Sequence, residues 1–426
     1  MTFARYLAFF GILSIVLVAA GFYVGRRTKE AFGLGKREGR IGLAAVGASL
    51  VATLVSRSLG FRFLGEAAFA LLLALLISTG LLLIVDIFKL VVWPAFWLFD
   101  KQKGSPKANE AAASITTKEQ HEEPKLSTPE PKQAEEKPTD PYPLPTRRLF
   151  LHQAATGSAL LVGSTSAFYG AIFGRHDYQI EEVPVRIPGL SKRLDGYTLV
   201  QLSDIHFGLF VGEPELRAAE ELVKKAKADR IVLTGDLVDS DPRYAEILGR
   251  LVRRLMPLAK DGVVVIPGNH DWYAGVEETM GACGAAGARI LRNDGFVVGD
   301  SKDGFSLLGV EDVWARRMKE GMGPDLNKAL SKVPADLPRV LLCHNPSFFP
   351  EAAGKVALQL SGHTHGGQVN LGPLRPGRLV LPFGYVEGMY ERSESKLYIN
   401  RGFGTAGPPA RIGAPPEVTK IVLVSA

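Results

Sequence analysis

The sequence predicts an α/β domain carried behind an N-terminal membrane region, and three observations carry that reading. Residues 1–100 are almost continuously apolar. From Tyr178 onward, short β-branched runs alternate with amphipathic helical stretches such as EPELRAAEELVKKAKA. Five of those runs end at once in clusters of Asp, Asn or His. Short apolar runs bounded by Gly and polar residues read as buried strands. Strands alternating with helices read as an α/β sheet whose functional groups sit on loops beyond the strand ends.

In the membrane region, YLAFFGILSIVLVAAGFYVG (6–25) has the ~20 residues that cross a bilayer. A basic stretch follows, with Arg26, Arg27, Lys29, Lys36, Arg37 and Arg40. The run IGLAAVGASLVATLVS (41–56) is shorter, so residues 1–100 hold two or three spans. From Ala67 to Phe99 the chain is nearly uninterrupted Leu, Ile, Val, Ala and Phe, and Asp86 and Lys89 within it are spaced to pair on one helix face.

Residues 101–145 hold eight prolines among Lys and Glu, with few large apolar side chains, and read as a disordered linker. Residues 146–175 open on the pair Arg147 and Arg148 before a small-residue apolar run. They read as a twin-arginine-like signal-anchor span, retained rather than cleaved, with the α/β domain over 176–426. Positive charge marks the cytoplasmic side of a bilayer. That rule puts the 26–40 stretch and the arginine pair inside, and the domain after residue 175 outside.

The formal charge of +6 does not indicate a nucleic-acid partner. From Tyr178 to the end there are 30 Lys and Arg against 30 Asp and Glu, so the excess lies wholly in the membrane region. The two cysteines, Cys283 and Cys343, make no disulfide framework and read as small core residues.

The strand ends carry the chemistry. YTLVQLSDIH delivers Asp204 and His206; RIVLTGD delivers Asp236; GVVVIPGNHD delivers Asn269, His270 and Asp271. RVLLCHN delivers His344, and VALQLSGHTH delivers His363 and His365. Leaving His270 aside, two carboxylates, one amide and four imidazoles are too many donors for one tetrahedral zinc. They suit two adjacent divalent ions sharing a carboxylate, an arrangement that generates a hydroxide and stabilises in-line displacement at phosphorus.

SDIH, TGD, GNHD, a lone His and GHTH, in that order over residues 197–400, resemble the calcineurin-like metallophosphoesterases. The resemblance implies a sandwich of two mixed β-sheets flanked by helices. It also implies roles: Asp204, His206 and His365 for the first metal, Asp236 as the bridge, and Asn269, His344 and His363 for the second. His270 is similar to the family's non-ligand histidine that contacts phosphate and aids the leaving group, with Asp271 orienting it. The metals implied are manganese, iron or zinc, and the N/O donor set does not choose among them.

Protein phosphatases of the family continue their second motif as Gly-Asp-x-x-Asp-Arg-Gly. Here it reads GDLVDSDP, with Ser240 in place of the arginine, which favours a diester or pyrophosphate substrate. The tail LSGHTHGGQV…LYINRGFGTAGPP resembles a membrane-anchored bacterial branch of the superfamily, with relatives that cleave the pyrophosphate of UDP-2,3-diacylglucosamine. In it, Arg401 is a candidate contact for an anionic substrate, and Gln368 a candidate support for the ligands before it. The expectation is a phosphoesterase tethered to a bacterial inner membrane, its domain extracytoplasmic, acting on a phosphodiester or pyrophosphate, with a lipid as the candidate carrier. A cytoplasmic-facing pyrophosphatase and a non-catalytic scaffold are the alternatives.

Overall fold

The computed structural model describes residues 3–102, 146–380 and 384–426. Four helices come first: α1 (Phe3–Phe32), α2 (Lys36–Leu59), α3 (Arg62–Gln102) and α4 (Arg147–Ile172). The linker expected over 101–145 lies, from residue 103 on, outside the described residues. Thr146 caps α4, its hydroxyl accepting from the Leu149 N–H at 3.3 Å, so the helix begins on the arginine pair itself.

Val24 of α1, Leu82 of α3 and Ala159 of α4 pack as one cluster, and the Ser78 hydroxyl donates to the Ala159 carbonyl at 3.2 Å. Among the described residues two helices, Gly11–Phe32 and Arg62–Val91, are long and apolar enough to cross a membrane, and the apolar stretch of α2, Arg40–Ser56, is shorter. Ile87, Phe88, Leu90 and Val91 point outward from α3, as side chains facing lipid do. The pairing expected of Asp86 differs. Its carboxylate accepts from the Tyr23 hydroxyl at 2.6 Å and meets Arg27 at 3.2 Å, so it ties α3 to α1 rather than to Lys89 on its own face.

Beyond α4 the chain forms two six-stranded sheets, as the resemblance implies. The first, in the order β1-β12-β2-β3-β4-β5, contains β1 (Gln179–Ile187), β2 (Tyr197–Leu202), β3 (Arg230–Thr234), β4 (Val263–Ile266), β5 (Arg289–Ile290) and β12 (Glu417–Ser425). The second, β10-β11-β9-β8-β7-β6, contains β6 (Asp294–Val298), β7 (Phe305–Gly309), β8 (Arg339–Leu342), β9 (Leu358–Ser361), β10 (Gly388–Arg392) and β11 (Ser395–Ile399). β2, β3 and β4 run parallel, as do β7, β8 and β9, so the ends carrying the polar clusters lie on one edge of each sheet.

Alternation along the strands sorts the core. Val200, Leu202, Ile231, Leu233, Val263 and Val265 face a helical layer of α5 (Glu213–Ala226), α6 (Ala245–Leu255) and, after the short α7 (Asn269–Ala274), α8 (Val276–Ala285). Leu199, Val232, Val264 and Ile266 face Leu307, Val340, Leu342, Leu358 and Leu360 of the second sheet. Both faces of the central strands are therefore buried, which is why they read as unbroken apolar runs. Cys283 and Cys343 are free and buried.

The domain sits against one end of the helices. Arg62, at the start of α3, meets Glu215 of α5 at 2.5 Å, Arg175 meets Glu66 at 2.7 Å, and the Phe69 and Phe210 rings lie edge to face. Leu73, Ile77 and Ala167 pack on Ala410 and Ile412 of the domain. Leu360→Ala opens a cavity between the sheets and is expected to cost about 2–5 kcal/mol. Leu90→Ala removes only an outward-facing chain, so in thermal melts of the detergent-solubilised protein only the first should lower the midpoint strongly.

Candidate metal centre

Three of the strands that end on this edge, β2, β3 and β9, turn sharply, and the turn is made by the candidate ligands themselves. Asp204, His206, Asp236, His363 and His365 all have positive φ, between 50° and 73°. That left-handed region is costly for residues with a Cβ, by about 1–2 kcal/mol each, and Asp tolerates it better than most. The turns are held by amide ladders across the strand ends: Asp204 N–H to Gly235 O at 3.0 Å, His206 N–H to Asp236 O at 3.0 Å, and Gly362 N–H to His344 O at 3.0 Å.

Seven side chains converge there. Asp204, His206 and His365 form one group, and Asp236, His344 and His363 another, with the ligand atoms of each group within 4.8 Å of one another. His206 Nε2 faces His365 Nε2 at 3.0 Å, and His365 Nε2 is 3.3 Å from Asp204 Oδ1. His363 Nδ1 faces His344 Nε2 at 3.3 Å. Asp236 Oδ2 stands between the groups, 3.6 Å from His206 Nε2 and 3.2 Å from His344 Nε2. Asn269 Oδ1 is buried with no hydrogen-bond partner. Facing imidazole nitrogens, a shared carboxylate and an orphaned amide oxygen are the donor set that two divalent cations would satisfy.

The electrostatics agree. Burial, with neighbouring imidazoles, draws His206 and His363 down to about 3, and His365 also well below its ordinary value. All three are neutral, as ligands must be. His344 is raised: burial opposes its charge, but Asp236 overcomes burial. The His344 Nδ1–H donates to the Thr234 carbonyl at 2.8 Å, which aims Nε2 at Asp236.

The calcineurin-like phosphoesterase family model matches residues 197–367. Uncharacterized metallophosphoesterase YkuE of Bacillus subtilis (strain 168) is 32% identical over 296 residues, which cover 66% of this chain and 98% of that protein. The chain belongs to the calcineurin-like metallophosphoesterase family. It is also 34% identical over 282 residues to a Danio rerio transmembrane protein with metallophosphoesterase domain, covering 63% of this chain and 62% of that one. A Helicobacter pylori (strain J99 / ATCC 700824) uncharacterized metallophosphoesterase is 30% identical over 255 residues, 58% of this chain and 64% of that one. The alignments thus span less than two thirds of the zebrafish and Helicobacter relatives.

Within the metallophosphoesterase centre, His270 is the second residue of α7, and its backbone N–H donates to Asp236 Oδ1 at 2.7 Å. Burial opposes its charged form, but Asp236 and Asp239 raise it to about 9. The ring is not oriented by Asp271. That carboxylate accepts from the N–H groups of Leu237 at 3.0 Å, Val238 at 3.4 Å and Gly268 at 2.8 Å, which pins two loops together. Asp239 takes the orienting part: its carbonyl bonds His270 Nδ1, its carboxylate lies 3.5 Å away, and the Ser240 hydroxyl stands 3.3 Å from the same nitrogen. The signal for Asp239 was the second aspartate of the GDxxD spacing in GDLVD.

Arg401 is engaged elsewhere. Glu181 and Glu417 each hold its guanidinium at 2.5 Å, so two carboxylates neutralise the cation expected to meet substrate. The loop after it does approach closely, but onto the ligand turn: Phe403 N–H donates to Ser203 O at 2.9 Å and Gly404 N–H to Asp204 O at 2.7 Å. Gln368 supports the loop opposite the ligands, donating to the carbonyls of Ala406 at 3.1 Å and Pro408 at 2.8 Å.

Metal binding to this donor set should release protons, because raised His344 must lose its proton to become a ligand. Affinity is therefore expected to fall as pH falls. Calorimetric heats of manganese binding should differ between buffers of different ionisation enthalpy, and equal heats would count against the assignment of His344.

Proposed function

We propose that the protein is a membrane-anchored phosphoesterase, dependent on two divalent ions, that hydrolyses a phosphodiester or pyrophosphate bond in a lipid. One contact carries the lipid reading. The turn His365–Gly367 runs directly into residues 368–371, and Val369 and Leu371, with Ala410 and Ile412, pack on Leu73, Ile77 and Ala167 of α3 and α4. The metal centre is thus one short loop from apolar helices, which suits a phosphate borne at a membrane surface.

Asp204, His206, His365 and Asp236 would hold one ion, and Asp236, Asn269, His344 and His363 the other. Bound there, manganese, iron or zinc supplies an activated water and offsets the charge on phosphate. The chain's own part lies with His270. Asp239 occupies Nδ1, leaving Nε2 to give a proton to the departing oxygen. Ser240, where protein phosphatases carry arginine, supports a diester or pyrophosphate rather than a phosphoprotein.

We propose further that α1–α4 form a multi-pass anchor in a bacterial inner membrane, with the domain extracytoplasmic. Tyr23 and Arg27 of α1 meet Asp86 of α3, and Phe32 lies 3.6 Å from a Cβ position on Gly157 of α4. Those contacts bring the basic end of α1 beside the arginine-led start of α4, at the end of the bundle away from the domain. Positive charge gathered there supports a cytoplasmic assignment for that end, and with it use of an export machinery that reads paired arginines.

Hydrolysis of bis(p-nitrophenyl) phosphate by the full chain with added manganese tests the reaction. Asp236→Asn should lose both ion binding and turnover. His270→Ala should keep the ions and lower kcat by about 10²–10⁴-fold. Equal activity in all three would remove the assignment.

Orientation is read separately, by reporters fused to the C-terminus. A periplasm-active reporter is expected to work, and to fail when Arg147 and Arg148 are both exchanged for lysine. A reporter active only in the cytoplasm would instead support an inward-facing pyrophosphatase of the UDP-diacylglucosamine type.

A further inference from the structure

Among the described residues Arg411 heads the fully buried side chains by size, at 1% exposure. Its donors reach backbone carbonyls: Nε to Gly404 at 2.8 Å, Nη1 to Arg401 at 2.8 Å and Ala414 at 3.0 Å, Nη2 to Gly402 at 3.0 Å and Gly404 at 2.6 Å. One side chain therefore gathers both arms of the 401–414 loop. Nη2 also stands 3.2 Å from Nδ1 of His365. The same loop is pressed onto the first ligand group, since a Cβ on Gly402 would lie 2.8 Å from Asp204 Cβ and 3.3 Å from His365 Nδ1.

The backbone of Arg411 belongs to a different contact. Its N–H donates to the Gly170 carbonyl of α4 at 3.0 Å. A Cβ on Gly174, in the turn that leaves α4, would lie 2.1 Å from the Arg411 carbonyl oxygen, and one on Gly170 would lie 2.6 Å from Ile412 Cγ1. The last turn of α4 and the hub of the loop are thus in backbone contact. A helix serving only as a tether would need no such fit.

We propose that α4 is a working part of the metal centre: by seating Arg411 it holds the 401–414 loop against Asp204 and His365, and so sets the affinity of the Asp204–His206–His365 group for its divalent ion. Arg411 is a positioning residue in this scheme, acting through the loop whose carbonyls it gathers. The inference rests on the two-ion reading of the preceding section.

The decisive variant is Gly174→Ala in the full detergent-solubilised chain. Its 3-10 turn is open to any residue, so the added methyl acts chiefly through the Arg411 carbonyl at 2.1 Å, the Tyr169 ring at 3.3 Å being a side chain that can yield. Arg411→Lys keeps the charge and loses the planar fork. Gly80→Ala in α3, where a Cβ meets nothing within 4 Å, is the control. Metal-free proteins are titrated with manganese by calorimetry.

Gly174→Ala and Arg411→Lys should each weaken one of two equivalents, by about 10–100-fold as for other supporting contacts to a metal ligand, and leave the second unchanged. Gly80→Ala should match the parent. Unchanged binding in both variants would overturn the inference, and so would equal weakening of both equivalents, which marks general loosening. A parent that binds only one ion would overturn the two-ion reading and the inference with it. Should Gly174→Ala fail to fold, Gly170→Ala decides by the same criteria, because there the side chain of Ile412 can yield while the new Cβ still lies 3.1 Å from the Arg411 carbonyl oxygen.

Discussion

Three of the four other loops of the centre are tied directly to Asp236. Oδ2 faces His206 at 3.6 Å and His344 at 3.2 Å, while Oδ1 accepts the His270 N–H at 2.7 Å. The Asp236 carbonyl meanwhile accepts from the His206 N–H at 3.0 Å. One residue at the end of β3 therefore fixes the loops after β2, β4 and β8. A buried carboxylate so surrounded is held ionised: burial opposes the charge, and His344 and His270 more than offset it. Two cations placed on either side would do the same more strongly, which is why the bridging position falls to a carboxylate and not an amide.

Backbone geometry shows what this convergence costs. Five of the seven candidate ligands adopt left-handed φ, as do only five other non-glycine residues among those described. Isolated turns of that kind would relax. They persist because the strands behind them are locked in two sheets whose central members are buried on both faces. The core thus stabilises a ligand geometry that the loops would not hold alone, and bound cations would return part of that energy as affinity.

The α/β alternation and the convergence of the candidate ligands were legible because each rests on local pattern. Unbroken apolar runs such as VVVI follow from burial on two faces, and the polar cluster follows where the strand stops. Asp271 and Arg401 were read by position, yet each takes its partner from a distant loop: Asp271 from the amides after β3, Arg401 from β1 and β12. Nothing in PPARIG distinguishes a buried hub from a surface arginine. Its surroundings are carbonyls and a helix end, and neither leaves a mark on residue type. The Asp86 partner was missed similarly, since a pairing between two helices has no spacing in one chain.

Precision at the boundary between helices and domain has a separate source. The apolar contacts of Leu73, Ile77 and Ala167 supply adhesion, but such contacts tolerate sliding. The ion pairs do not. Glu66 receives both Arg62 and Arg175, and Glu215 receives Arg62 and the Gly212 N–H. Burial raises the Glu215 carboxyl, and His176, Arg62 and the Gly212 amide together draw it well below the usual range. A carboxyl so depressed contributes its stability above the ordinary carboxylate pKa and loses it only as pH falls below, so the contact is intact throughout the neutral range. Slipping α3 by one turn, about 5.4 Å, would take Arg62 from the buried Glu215 and Glu66 from Arg175. Breaking a buried pair in that way costs about 3–5 kcal/mol, and a partly exposed pair less. The network therefore sets register rather than strength, and register is what a helix end bonded to the backbone of Arg411 requires.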